Sequence, residues 1–230
     1  MTMQRKITGK KIEYRPMIEA ELSASERDRA YARQQRVERI ARITQSQLRA
    51  ASSRIVESKP EDARWYCLHV EKGREFAVEN VLLGASVEAF MPRERFVQVR
   101  RGEKFEGEIP YFPSYMLVRC VPSPEAFVGL MRQKHVLSIV GGLSGYHIIR
   151  DEDVEFFKRL TVKSETPRVA TDKTMTEGDR ADIVLGPFSG FMCVVLDVKW
   201  CRQARARVLI EVGGRQFEID SMPLAFLKKL

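Results

Sequence analysis

Residues 161–176 divide the chain. Thr161 to Thr176 brings threonine, lysine and proline, with little apolar content, between two stretches rich in β-favouring side chains. A segment of that composition reads as a flexible linker, so the chain is expected to close around two cores. Upstream lies a dense mixed domain over 61–160, downstream a short strand-rich domain over 177–230. Residues 1–60 form a third region, an Arg-rich extension without Trp or Phe.

Within 61–160, Arg64 to Val70 reads as a strand rich in aromatic and β-favouring residues. Glu75 to Leu83 reads as a helix that stops at Gly84. Val87 to Val99 suggests one or two strands interrupted at Pro92. Tyr115 to Val121 is continuously apolar apart from Arg119, as expected of a central strand. Pro124 to Met131 reads as a short helix with Pro in its first turn, and Val136 to Val140 as a strand ending at Gly141-Gly142. Asp151 to Leu160 is a helix opened by carboxylates, where the helix dipole favours them. The order predicts an α+β sandwich. In 177–230, short strands are expected at Ala181–Leu185, Met192–Lys199, Ala206–Val212 and Arg215–Asp220, with a hairpin at Gly213-Gly214. So many short strands in so little chain predict a small closed β-barrel.

The charge is unevenly placed. Residues 1–60 hold 14 Lys and Arg against 7 Asp and Glu, and the other 170 residues hold 25 against 24. In the extension, Val37, Ile40, Ala41, Leu48, Ala51 and Ile55 recur at helical spacing as one narrow stripe, with Arg33, Arg36, Arg39, Arg42 and Arg49 around it. Such a helix suits nucleic-acid phosphates or a protein partner, or is a solvated, partly disordered tail. Cys67, Cys120, Cys193 and Cys201 form no CxxC pair, so neither a metal nor another cofactor is expected, and reduced core cysteines of a cytoplasmic protein are. His69, His135 and His147 are scattered, and there is no Walker A loop, zinc-spaced His pair or GxSxG elbow, so an enzyme is not expected. No apolar run is long enough for a membrane span.

Two motif sets narrow the reading. The first is Arg64-Trp65-Tyr66, Phe90-Met91-Pro92 and Tyr111-Phe112-Pro113-Ser114-Tyr115; the second is Gly178-Asp179 followed by Gly186-Pro187-Phe188-Ser189-Gly190-Phe191. The first resembles the N-terminal domain of the NusG family, the second the KOW motif of its C-terminal barrel, and their order across a linker matches as well. The resemblance covers residues 64–230 and implies an RNP-like α+β domain joined to an SH3-like KOW barrel. It also implies a factor that binds the clamp helices of the largest catalytic subunit of RNA polymerase and modulates pausing and termination. The barrel is then expected to recruit Rho or a small-subunit ribosomal protein, and the protein to act as a monomer.

On this resemblance Trp65, Phe112 and Tyr115 are the candidate polymerase anchors, because aromatic side chains on a Pro-restricted turn bind at low entropy cost. Filling the core beneath the turn is the competing role. Arg93, Arg95, Arg100, Arg101 and Lys104 are candidate phosphate contacts to upstream DNA, against an ordinary solvated face interleaved with Glu94, Glu103 and Glu106. Phe188 and Phe191 are candidates for the barrel's partner surface, against capping the barrel core. Arg33, Arg36, Arg39 and Arg42 are candidates for nascent RNA or DNA. A KOW-containing RNA-binding or ribosome-associated protein that never touches polymerase is the alternative.

Two positions depart from the family pattern. Ser114 stands where the family has glycine, and Cys193 where the KOW motif has glycine. A left-handed backbone at Cys193 would be costly and would alter the barrel turn. Ser114 and the basic extension point to a specialised paralogue. The strand-rich character of 177–230 argues against a helical resting state of that domain.

Overall fold

The computed structural model describes residues 23–100, 103–142, 145–163, 174–200 and 204–230. The chain divides between Ile43 and Thr44 into two compact units. The first contains most of helix α1 (Ala24–Leu48). Ser23 and Glu26 start it with a capping box: the Glu26 amide donates to the Ser23 hydroxyl at 3.4 Å and the Ser23 amide to the Glu26 carboxylate at 2.9 Å. Arg33, Arg36, Arg39 and Arg42 are all exposed on it, as are Val37 and Ile40 of the expected stripe.

In the second unit the expected long, poorly anchored helix does not continue to Pro60. The helix breaks at Leu48 into a 3-10 turn (Arg49–Ala51) and α2 (Ser53–Ser58). Leu48 and Ala51 are buried in one cluster with Tyr66, Leu82 and Leu130, and Val56 of α2 is buried as well. Packed structure therefore begins well before residue 60.

The α+β domain is an antiparallel sheet in the order β2-β5-β1-β6, with β9 beside β6 on the same edge of β1. The strands are β1 (Arg64–Val70), β2 (Glu88–Phe90), β5 (Tyr115–Cys120), β6 (Val136–Ile139) and β9 (Ile148–Ile149). A second ribbon pairs β3 (Arg93–Arg100) with β4 (Glu103–Pro110), and a third pairs β7 (Gly141–Gly142) with β8 (Gly145–Tyr146). Helices α3 (Glu75–Gly84), α4 (Pro124–Met131) and α5 (Asp151–Lys163) complete the domain. Ser123 caps α4, accepting from the Ala126 amide at 3.1 Å.

β1 and β5 are central, and each buries both faces. Tyr66, Leu68, Met116, Val118 and Cys120 join the cluster that contains residues of α3 and α4, while Trp65, Cys67, Tyr115 and Leu117 join the other. This is the period-two alternation of a strand with apolar layers on either side, and it accounts for the unbroken apolar run at 115–118.

The second layer is the C-terminal domain, ordered β13-β12-β11-β10-β14. Its strands are β10 (Arg180–Ile183), β11 (Met192–Lys199), β12 (Arg205–Val212), β13 (Arg215–Pro223) and β14 (Leu227–Lys229). Ala206, Val208, Ile210 and Val212 alternate inwards along β12. Gly213 and Gly214 both have positive φ and make the two-residue turn to β13. Register shifts in β11–β12 and β12–β13 add local twist, and β14 returns the chain end to the free edge of β10. Met175 is buried with this cluster, so the barrel's packing starts before residue 177; residues 164–173 of the expected linker lie outside the described residues. Cys193 lies within β11, buried and paired with Ala181 and Ile210, and has no positive φ. The expected cost at that position does not arise, and burial pushes the thiol up to about 11.

Candidate functional site: an aromatic seam between the two domains

The turn that carries the first motif is held at four points. The Tyr111 amide donates to Pro92 O at 2.7 Å, and the Tyr115 amide to Phe112 O at 3.1 Å. Val70 donates to Ser114 O at 2.8 Å, and the Ser114 amide to the buried carboxylate of Glu75 at 3.0 Å. Ser114 has φ of +71°, a left-handed conformation that suits glycine and strains serine.

This turn aims Phe112 and Tyr115 at the barrel. The Phe188 ring meets Phe112 edge-on at 5.9 Å and Tyr115 at 5.1 Å. The Tyr115 hydroxyl donates to Glu218 O at 2.7 Å. Phe157 of α5 packs on Phe112 at 5.3 Å and on Phe226 at 5.9 Å, so α5 is part of the same cluster. Trp65 lies in that cluster, with Lys158 over its ring at 5.1 Å. Exposure is 3% at Trp65, 1% at Phe112 and Tyr115, and 0% at Phe188. The candidate anchors of one domain and a candidate contact of the other are thus buried against each other in this conformation. Phe191, partly buried, lies with its ring 4.5 Å from His147.

Polar contacts rim the seam. Arg205 of β12 pairs with Glu94 at 2.6 Å, donates to Ser221 and Tyr111 O, and stacks over the Tyr111 ring at 4.9 Å. Lys72 pairs with Asp220, and Arg150 donates to the Ser189 hydroxyl at 3.0 Å. Burial pushes the Tyr111 phenol up to about 12 and the Tyr115 phenol higher still, so both rings are neutral across the physiological range. At the far end, Gly142 meets Gly213 backbone to backbone, and a methyl on Gly142 would overlap the Gly213 main chain. Glycine is required there by close approach of the two domains.

The basic candidates divide. Arg93 is held by Glu79 and Glu108 and lies over Phe76. Arg95 and Lys104 are exposed, with Arg95 only loosely paired to Glu108 at 3.8 Å. The Arg100 side chain and Arg101 lie outside what is described. The seam roles of Arg205, Glu94, His69 and Gly142 were not legible in the sequence. Each gains its role from a neighbour far along the chain, and only the Gly141-Gly142 pair gave any local signal. Among the described residues no cluster of His, Cys, Asp or Glu has the geometry of a metal site, and no helix is long and apolar enough to cross a membrane.

A small α+β domain and a five-stranded barrel, each presenting aromatic side chains to the other, define a two-module protein built around contact surfaces. Residues 63–158 match the family model described as Transcription termination factor nusG. The chain is 28% identical to the transcription termination/antitermination protein NusG of Vibrio cholerae, over 68% of this chain and 91% of that protein. It is 27% identical to the Pseudomonas aeruginosa protein of the same name, over 68% and 93%. A solved structure of NusG from Thermotoga maritima covers 74% of this chain and 98% of its own at 20% identity, with a TM-score of 0.38. The match to the NusG family model is confined to the domain at 63–158.

Proposed function

We propose that this protein is a transcription elongation and antitermination factor. Trp65, Phe112 and Tyr115 bind the clamp helices of RNA polymerase once the barrel has moved away. The barrel then uses Phe188 and Phe191 to recruit a second factor, either Rho or a small-subunit ribosomal protein. The reading is of a cytoplasmic, monomeric binding protein rather than an enzyme, and a specialised member of its family. Arg95 and Lys104 contact upstream DNA phosphates, and the α1 arginines Arg33, Arg36, Arg39 and Arg42 contact nascent RNA or DNA.

One observation carries this reading: Phe112 and Tyr115 sit on a strained, multiply tethered turn yet end against the other domain's Phe188. A left-handed serine costs stability that simple core filling does not require. A turn held that firmly suits an aromatic surface presented preformed to a partner. In the closed state that surface is covered, so measured affinity is the intrinsic affinity scaled by the open fraction.

Binding to core RNA polymerase tests the reading, with wild type beside Gly142→Ala, which wedges the seam, and Gly142→Ala/Phe112→Ala/Tyr115→Ala. The wedge is expected to tighten binding roughly tenfold. Removing both rings from the wedged protein is expected to weaken it about 30- to 1000-fold, as for hot-spot anchors. Micromolar polymerase failing to bind the wedged protein would overturn the proposal and favour a KOW-type RNA- or ribosome-binding protein.

A further inference from the structure

Of the three histidines, two lie in the seam. His69 is on β1, its ring stacked on Tyr115 at 5.1 Å and edge-on to Phe217 of the barrel at 6.1 Å. His147 joins β8 to β9, its ring against Phe191, with the Pro187 carbonyl as hydrogen-bond acceptor. His135 instead pairs with Glu71, 2.6 Å away within the first domain. We propose that the seam is a proton-responsive latch, closed while His69 and His147 are neutral and released when both take up a proton. This rests on the reading that the seam covers the polymerase-binding surface, but the latch itself is a property of the chain alone.

The physical conflict is local. A neutral imidazole packs on aromatic rings as an apolar disc, whereas an imidazolium in the same place must give up much of its hydration. The rings return part of that loss through cation–π attraction. Burial still wins at both positions and holds each imidazole below the ordinary histidine value. Around Tyr115, on which His69 stacks, lie Cys67, Glu218 and Asp220; Asp220 is paired to Lys72, which also faces Glu75. On the His147 side Asp153 favours the proton, but Arg150 holds its carboxylate at 2.9 Å. A cleft of about 260 Å³ lined by His147, Asp153, Pro187 and Ser189 lies at that end of the seam, large enough for water to reach the His147 ring.

The sign follows from the direction of both shifts. In the open state each histidine returns towards its ordinary value of about 6.5, while in the closed state both lie below it. The closed state therefore binds fewer protons. Closure is at full strength above about pH 6.5 and weakens as pH falls below it, by up to two protons per opening.

NMR of the full chain tests this directly, because amide relaxation distinguishes domains that tumble together from domains that tumble apart. At pH 7.5 the barrel and the first domain are expected to share one correlation time. At pH 5.5 the barrel's is expected to shorten, with the open fraction up roughly tenfold or more. Gly142→Ala is expected to open at pH 7.5 already, showing that the readout reports release. His69→Gln/His147→Gln is expected to lose the pH response while keeping dispersed, folded spectra. Should His69→Gln disturb folding, His147→Gln alone must still reduce the proton uptake on opening from two to one. A wild type that stays closed at pH 5.5, or histidine variants that open with unchanged pH dependence, would overturn the latch. No polymerase enters the experiment, so its outcome is separate from that of the binding test.

Discussion

Ser114 shows how much a single backbone angle decides. Its φ of +71° is the conformation in which a β-carbon crowds the backbone, and its amide is needed by Glu75. Ser114→Gly keeps that amide and removes the strain, while giving the unfolded chain more freedom. The first effect is expected to win, stabilising the protein by about 0.5–1 kcal/mol in urea unfolding with the slope unchanged. Sequence reasoning marked this position because the family has glycine there, and marked Cys193 for the same reason. The two glycines had different causes. At 114 the left-handed turn is real; at 193 a strand buries the sulfur among Ala181 and Ile210, where a larger side chain than glycine is useful. Cys193→Gly is therefore expected to destabilise by about 2 kcal/mol through lost packing and strand propensity, measured by the same unfolding experiment.

At the scale of elements, legibility tracked burial. β1, α4 and β11 have the bounds their patterns suggested, because their apolar positions face a packed layer. β4 was missed: Glu103–Pro110 pairs only with β3 in a two-stranded ribbon, so no core imposes an alternating pattern on it. β14 was missed because three residues carry no period and are a strand only by pairing with β10. The extension was misjudged for a related reason. Leu48 and Ala51 lie on the apolar stripe and are buried, but the 3-10 turn at Arg49–Ala51 shifts the phase, so that Val56 is buried in place of Ile55. Truncation separates the two parts. Deleting 1–43 is expected to leave unfolding stability within about 0.5 kcal/mol of wild type, since those residues form their own unit. Deleting 1–60 removes the buried side chains of Leu48, Ala51 and Val56, the first two from the core that contains Tyr66, and is expected to cost several kcal/mol, near the limit of folding for a domain of marginal stability.

For the whole molecule, the two surfaces that the motifs singled out individually turn out to be one seam. The sequence showed both aromatic sets but not their meeting, since no local pattern encodes a contact between Tyr115 and residue 218, over a hundred positions apart. Their meeting makes binding at one surface favour exposure of the other, a coupling that must be reciprocal. Tyr115 takes part on both sides of that balance. Its ring is the candidate polymerase anchor, while its hydroxyl closes the seam by donating to Glu218 O. Tyr115→Phe removes only the second contribution, a neutral hydrogen bond of about 0.5–1.5 kcal/mol, and leaves the ring. It is expected to raise the open fraction and tighten polymerase binding by about 2- to 12-fold. Tyr115→Ala opens the seam further but deletes the anchor, and hot-spot losses of about 2–4 kcal/mol exceed what opening returns, so binding is expected to weaken. Titration of both variants against core polymerase reads the two effects separately. Opposite signs for Phe and Ala are the signature of a residue that both hides the surface and forms it. Equal weakening in the two would mean that the hydroxyl contacts polymerase itself, and would place the latch elsewhere along the seam.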